Sequence, residues 1–143
     1  MPGAALFTSA SDEWETPQEL FDELNGKFGF QLDVCASEAN AKCRDFYTKE
    51  QDGIVQPWSS RNWMNPPYGR QLRAWCAKAD DEAKRGNITV ALLPARTDTR
   101  WYHEYCSRWH RNFLRGRLCF KSGGKKTNSA PFPSMIVYFG IPT

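Results

Sequence analysis

Asn65-Pro66-Pro67-Tyr68 brings together groups suited to one kind of chemistry. An exocyclic amine on an aromatic ring is a poor nucleophile, because its lone pair is delocalised into the ring. A site that accepts both amine hydrogens draws the nitrogen toward tetrahedral geometry and frees that pair. The Asn65 side-chain oxygen can accept one hydrogen, and the Pro66 backbone carbonyl can accept the other. Proline restricts the backbone, so that carbonyl is aimed in advance. Tyr68 can lie on the face of a planar base and hold it. The same four residues also fit a proline-stiffened loop at a strand end with no chemistry, and alone they leave both readings open.

The elements that must position these residues are legible in part. Thr16 reads as an N-cap and Pro17 as the first residue of a helix, with Glu19 completing a capping box. Leu20, Phe21 and Leu24 line one face of that helix, and Asn25-Gly26 closes it. Residues 28–35 look like a strand, 36–42 a short helix or irregular turn, and 46–58 mostly loop. Asn62-Trp63-Met64 is a short strand that must stop at the two prolines. Residues 72–85 form a helix with Leu72, Trp75, Cys76 and Ala79 on one face. The apolar run 88–93 is typical of a strand covered on both faces, with Pro94 at its end. Residues 99–108 read as helical, 113–120 and 134–139 as strands, and 121–129 as a Gly/Lys-rich loop. Strand and helix alternate, which predicts an α/β sandwich with a mostly parallel sheet and an antiparallel edge.

The 143 residues favour one domain, here 12–143 behind a flexible tail at 1–11. Hydrophobic residues make up 41% and charged residues 24%, a globular balance that excludes disordered and fibrous classes. The five cysteines are odd in number and form no C-x-x-C pair, so neither a zinc site nor a disulfide framework is expected. The start lacks a basic, apolar leader and no run approaches a membrane span, so a cytoplasmic protein is expected. The net charge of +3 decides little by itself. Its distribution says more, because residues 96–126 carry nine Lys and Arg against Asp98 and Glu104. Such a half either faces phosphate or is a solvated surface.

The tetrapeptide resembles the catalytic motif of the amino-methyltransferases that modify adenine N6 or cytosine N4. Four further stretches are similar to one branch, the small phage-type DNA N6-adenine methyltransferases (Dam-like). They are 12–17, then 32–37 with 40–43, then 92–99, and finally 130–135. The resemblance implies an abbreviated Rossmann-like fold binding S-adenosylmethionine at the carboxyl ends of the strands. It also suggests a phage or prophage origin in a bacterial host. By carry-over, Trp14, Thr16 and Pro17 match the N-terminal cofactor motif, and Thr16 would donate to the methionine carboxylate. Asp33, Cys35 and Ala36 match the first-strand motif, where Asp33 would bind the methionine ammonium or else cap the following turn. Asp52 is a candidate for the adenine or ribose. The chain departs from the usual methyltransferase pattern twice. Ala36-Ser37-Glu38-Ala39-Asn40 replaces a glycine-rich turn, and only 32 positions (65 minus 33) separate Asp33 from Asn65, room for one strand-helix unit.

A target adenine inside double-stranded DNA must be flipped out. Arg96, Thr97, Asp98, Thr99, Arg100 and Trp101 are expected to meet the DNA, together with Arg115, Arg117, Lys121, Lys125 and Lys126. A homodimer would widen this footprint. Other amines fit the tetrapeptide too: cytosine N4, RNA adenine or a protein glutamine amide. A catalytically silent DNA-binding protein on the same fold is the alternative of a different class.

Overall fold

The computed structural model describes residues 14–122, 125–126 and 129–143, of which 121, 122, 125 and 126 are described as backbone only. The expected tail, Asp12-Glu13 and Gly123-Gly124 lie outside the described residues. Along the chain come α1 (Gln18–Phe28), β1 (Leu32–Asp33), β2 (Asp45–Phe46) and a 3-10 turn (Gly53–Val55). There follow β3 (Arg61–Met64), α2 (Leu72–Lys84), β4 (Ile88–Pro94) and a π-helical turn (Tyr102–Cys106). Last are β5 (Trp109–Phe113), β6 (Lys121–Ser122), β7 (Lys125–Lys126) and β8 (Ser134–Pro142).

Six strands form one sheet in the order β2-β1-β3-β4-β8-β5, and β6-β7 is a separate antiparallel ribbon. From β2 to β4 every pairing is parallel, whereas β8 runs antiparallel to both β4 and β5. The expected α/β architecture with an antiparallel edge is therefore present. β4 shows why its apolar run is continuous. Val90 and Leu92 face the layer of Phe21, Leu24, Trp63, Tyr68 and Phe120, while Ala91 and Leu93 face α2. Each such buried Val or Leu contributes about 2 kcal/mol, so covering both faces commits β4 to the centre of the sheet.

Several local expectations fail for definite reasons. Pro17 is extended (φ −57°, ψ 133°) and α1 starts at Gln18 without a side-chain cap, so Thr16 is no N-cap and the box with Glu19 does not form. The helix also runs through Gly26 and ends at Gly29, whose φ is +62°. A glycine inside a helix costs about 1 kcal/mol. The extra turn brings Phe28 onto Phe30 and Tyr138, which offsets that cost. The first strand is correspondingly short, and between Asp33 and Asn65 the chain has a two-residue edge strand, a 3-10 turn and β3 but no α-helix. The strand expected at 113–120 lies instead at 109–113: Leu114 makes the last rung to Ser134, and the chain leaves the sheet through Gly116. As an edge strand, β5 keeps His110 and Asn112 polar and exposed, which hides it from a hydrophobic pattern.

The 3-10 turn presses directly on the end of β1. A Cβ at Gly53 would sit 2.1 Å from the Val34 carbonyl and 3.1 Å from the Trp75 ring. Gly53→Ala is expected to lose about 3 kcal/mol in urea unfolding through overpacking against backbone. Gly26, with nothing within 4 Å of a Cβ, is the control. There Gly26→Ala is expected to gain about 0.5–1 kcal/mol by removing unfolded-state entropy.

Candidate active site

Parallel pairing makes the two widely spaced motifs neighbours. Asp33 lies opposite Trp63, and the Val34 amide donates to the Trp63 carbonyl at 3.1 Å. Asp33 and Asn65 therefore end adjacent strands on the same rim of the sheet, where open α/β sheets bind ligands.

The Asn65 side chain is held from one side. Its Nδ2 donates to the Trp14 carbonyl and, at 2.9 Å, to Thr16 Oγ1. A main-chain carbonyl can only accept, so the nitrogen must face Trp14 and the oxygen must face away. That oxygen, Oδ1, is buried and has no hydrogen-bond partner among the described residues. Pro66 is buried beside it, and among the described residues no donor reaches its carbonyl. Two acceptors thus wait at the end of β3.

Tyr68 is 4% exposed, and its hydroxyl donates to the Leu92 carbonyl at 2.9 Å. Burial pushes its phenol well above the ordinary range, with nearby Arg96 partly opposing, so it stays a neutral donor. Phe132 meets the ring edge-on at 5.5 Å between centroids and Phe120 at 6.3 Å; Trp14 packs on both. The ring expected to stack on a base is therefore buried among aromatic side chains, with Phe132 nearest. Neither Phe120 nor Phe132 is singled out by a sequence motif as a cover; only the stretch 130–135 hinted at the second.

Asp33 does what a turn-capping carboxylate does. Its Oδ1 accepts from the Cys35 amide at 3.3 Å and its Oδ2 from the Lys42 amide at 3.0 Å. This closes the loop 35–42 without glycines, with Ala36 further tied to the Tyr47 carbonyl. Burial is the largest influence on Asp33 and raises its pKa to about 7, against the pull of the Lys42 and Cys35 amides. Asp52 is exposed, holds φ +54°, and accepts from the Ile54 amide. The absence of a Cβ at Gly53 is what lets the turn that follows Asp52 sit against the Val34 carbonyl at the end of β1.

The structure sorts the basic half. Arg96, Thr97, Asp98 and Arg100 are exposed after the carboxyl end of β4, as are Arg115 and Arg117 beyond β5. Arg96 lies over the Phe132 ring, 5.9 Å from its centroid. Thr99 is used internally, donating to the Arg96 carbonyl and accepting from the Tyr102 amide. Trp101, expected to meet the DNA, is only 9% exposed and packs in the core with Tyr102 and Cys106, so it offers no open ring there. Arg108 is taken up by Asp80 and the Glu104 carbonyl, and Arg111 by the Ser107 and Trp109 carbonyls. The side chains of Lys121, Lys125 and Lys126 lie outside the described residues. Sequence reading missed Arg70, an exposed cation two positions after Tyr68 with no ion-pair partner among the described residues. A groove of about 680 Å³ runs along the β2 edge, but its lining (Arg44, Asp45, Tyr47, Trp58) includes neither Asn65 nor Tyr68.

Asp33 yields a test independent of any ligand. Its folded pKa of about 7 stands above its ordinary 3.8, so between those values the folded protein binds more protons than the unfolded chain. Stability is then expected to fall as pH rises through that window, by up to about 1.4 kcal/mol per pH unit. Urea unfolding from pH 4 to 7 is expected to show this slope in the wild type relative to Asp33→Asn, and parallel curves would contradict it.

Comparison with known proteins matches the chain to one family. A family model described as DNA N-6-adenine-methyltransferase (Dam) matches residues 3–141. A DNA N-6-adenine-methyltransferase of Haemophilus phage HP1 is 31% identical over 139 residues, 92% of this chain and 80% of that protein. A DNA N-6-adenine-methyltransferase of Escherichia phage T1 is 36% identical over 96 residues, which are 65% of this chain but only 40% of that protein. With a match spanning nearly the whole chain, the protein belongs to the DNA N-6-adenine-methyltransferase (Dam) family.

Proposed function

We propose that this chain transfers a methyl group from S-adenosylmethionine to N6 of adenine in double-stranded DNA, with the target base turned out of the duplex. The observation that carries the reading is the buried Asn65 Oδ1, without a partner among the described residues and held in orientation by Trp14 and Thr16. A buried acceptor without a partner costs about 1–3 kcal/mol, and a site with a donor-bearing ligand is the simplest reason to retain one.

An amine brought to the end of β3 would give one hydrogen to Asn65 Oδ1 and the other to the Pro66 carbonyl. Both acceptors are in place before the substrate arrives, so little reorganisation is needed as the nitrogen pyramidalises. Tyr68, anchored through its hydroxyl to Leu92, offers the base a fixed plane once Phe132 has moved aside. S-adenosylmethionine, when bound, supplies an electrophilic methyl group on a sulfonium. The residues present fit such a ligand. Asp33 is a buried carboxylate able to meet an ammonium, and the turn at Asp52-Gly53 lies against the same strand end. The exposed Arg70, Arg96, Arg100 and Arg115 on that rim suit a phosphate backbone. Among the described residues no helix is long and apolar enough to cross a membrane.

The test is transfer of labelled methyl from S-adenosylmethionine to unmethylated duplex DNA, followed by digestion to nucleosides. Labelled N6-methyldeoxyadenosine is expected; label in N4-methyldeoxycytidine, or in RNA or protein alone, would redirect the reading to another amine. Asn65→Ala is expected to lose at least about 100-fold in kcat, the scale for removing one preorganised group. Calorimetry with S-adenosylmethionine should show its cofactor binding retained.

A further inference from the structure

The resemblance assigns Thr16 to the cofactor, and its position in the sequence suggested a helix cap. The geometry points to a different task, and we propose that Thr16 is a positioning residue that, beside the orienting Trp14 carbonyl, holds the Asn65 carboxamide in place with its oxygen toward the substrate. This rests on the amine-binding reading of Asn65.

A carboxamide is nearly symmetric in shape. Rotation by a half-turn exchanges oxygen for NH2 with little steric consequence. The chemistry is not symmetric at all. With the oxygen forward, Asn65 accepts an amine hydrogen and activates the nitrogen. With NH2 forward, donor meets donor and the amine is neither held nor activated. Something must therefore choose between the two orientations, and the interactions on the rear of the amide make that choice.

Two groups stand there: the Trp14 carbonyl, which can only accept and so sets the orientation, and Thr16 Oγ1, 2.9 Å from Nδ2, which accepts a second hydrogen bond and holds the amide in that orientation. Thr16 is 2% exposed, so water does not compete for its hydroxyl. It is free for this task because α1 begins after Pro17, without a side-chain cap. Pro17 restricts the backbone beside it, and so holds the Thr16 side chain in place. The contact spans 49 positions in the sequence, so the N-terminal segment belongs to the active site although it contributes no atom to the proposed reaction.

Two variants compared with the wild type test this: Thr16→Val keeps the shape but removes the hydroxyl, and Thr16→Ser restores it. Thr16→Val is expected to lower kcat by about tenfold, the worth of one hydrogen bond, with KM for DNA and the Kd for S-adenosylmethionine within about threefold of wild type. Thr16→Ser should recover most of the loss. The nitrogen-15 NMR signal of the Asn65 side-chain amide gives a readout apart from activity. It should be a single sharp pair in the wild type, and should shift and broaden in Thr16→Val. Unchanged kcat with an unchanged amide signal would overturn the proposal. So would a raised Kd for S-adenosylmethionine with full kcat at saturation, which would make Thr16 a cofactor ligand instead. A wild type that transfers no methyl group to any amine would remove the amine reading, while the NMR comparison still decides whether Thr16 orients Asn65.

Discussion

A buried carboxamide oxygen with no donor within reach is an unstable arrangement in a folded protein, and among the described residues Asn65 maintains one. It persists because the other end of the amide is held by two acceptors, and because Pro66 and Pro67 prevent the chain from turning to satisfy it. Much of the fold serves this point. β3 must end there, the segment before α1 must cross to reach it, and Tyr68 must be pinned to β4 beside it. The strand order that places β3 between β1 and β4 is what lets all three contributions converge.

The second constraint is brevity. The chain between Asp33 and Asn65 has no α-helix, and the loop after β1 has no glycine to make a tight turn. Two substitutes appear. The buried Asp33 carboxylate gathers the amides of Cys35 and Lys42, so a side chain does what a glycine-rich backbone would otherwise do. Gly53, displaced to the following turn, supplies the close approach to β1 that a larger residue would forbid. The energetic consequence of the first substitute is a carboxylate shifted by burial into the neutral range.

Charge is divided in a way that composition conceals. Arg108 and Arg111, near the π-helical turn, are taken up by Asp80 and by the Glu104 and Trp109 carbonyls. The arginines on the carboxyl rim of the sheet carry no ion pair among the described residues, and Arg96 leans over the ring that covers Tyr68. A basic segment read as one surface is thus two, one bracing the fold and one left exposed beside the site.

The sequence by itself determined the elements whose signals are local. The period of α2 and the two-sided apolar run of β4 are read from neighbouring residues, because helical and strand geometry repeat over a few positions. The stop after β3 and the acceptor groups of Asn65 and Pro66 are intrinsic to those residue types. What it misjudged was settled by distant partners. Thr16 has the chemistry of a cap, yet its hydroxyl is taken by a residue 49 positions away. Gly26 reads as a helix end, yet contacts of Phe28 with Phe30 and Tyr138 carry the helix past it. Trp101 could face a base, yet the core behind α2 buries it. Only tertiary structure could decide these, since a side chain with two favourable partners takes the one that the rest of the fold brings within reach.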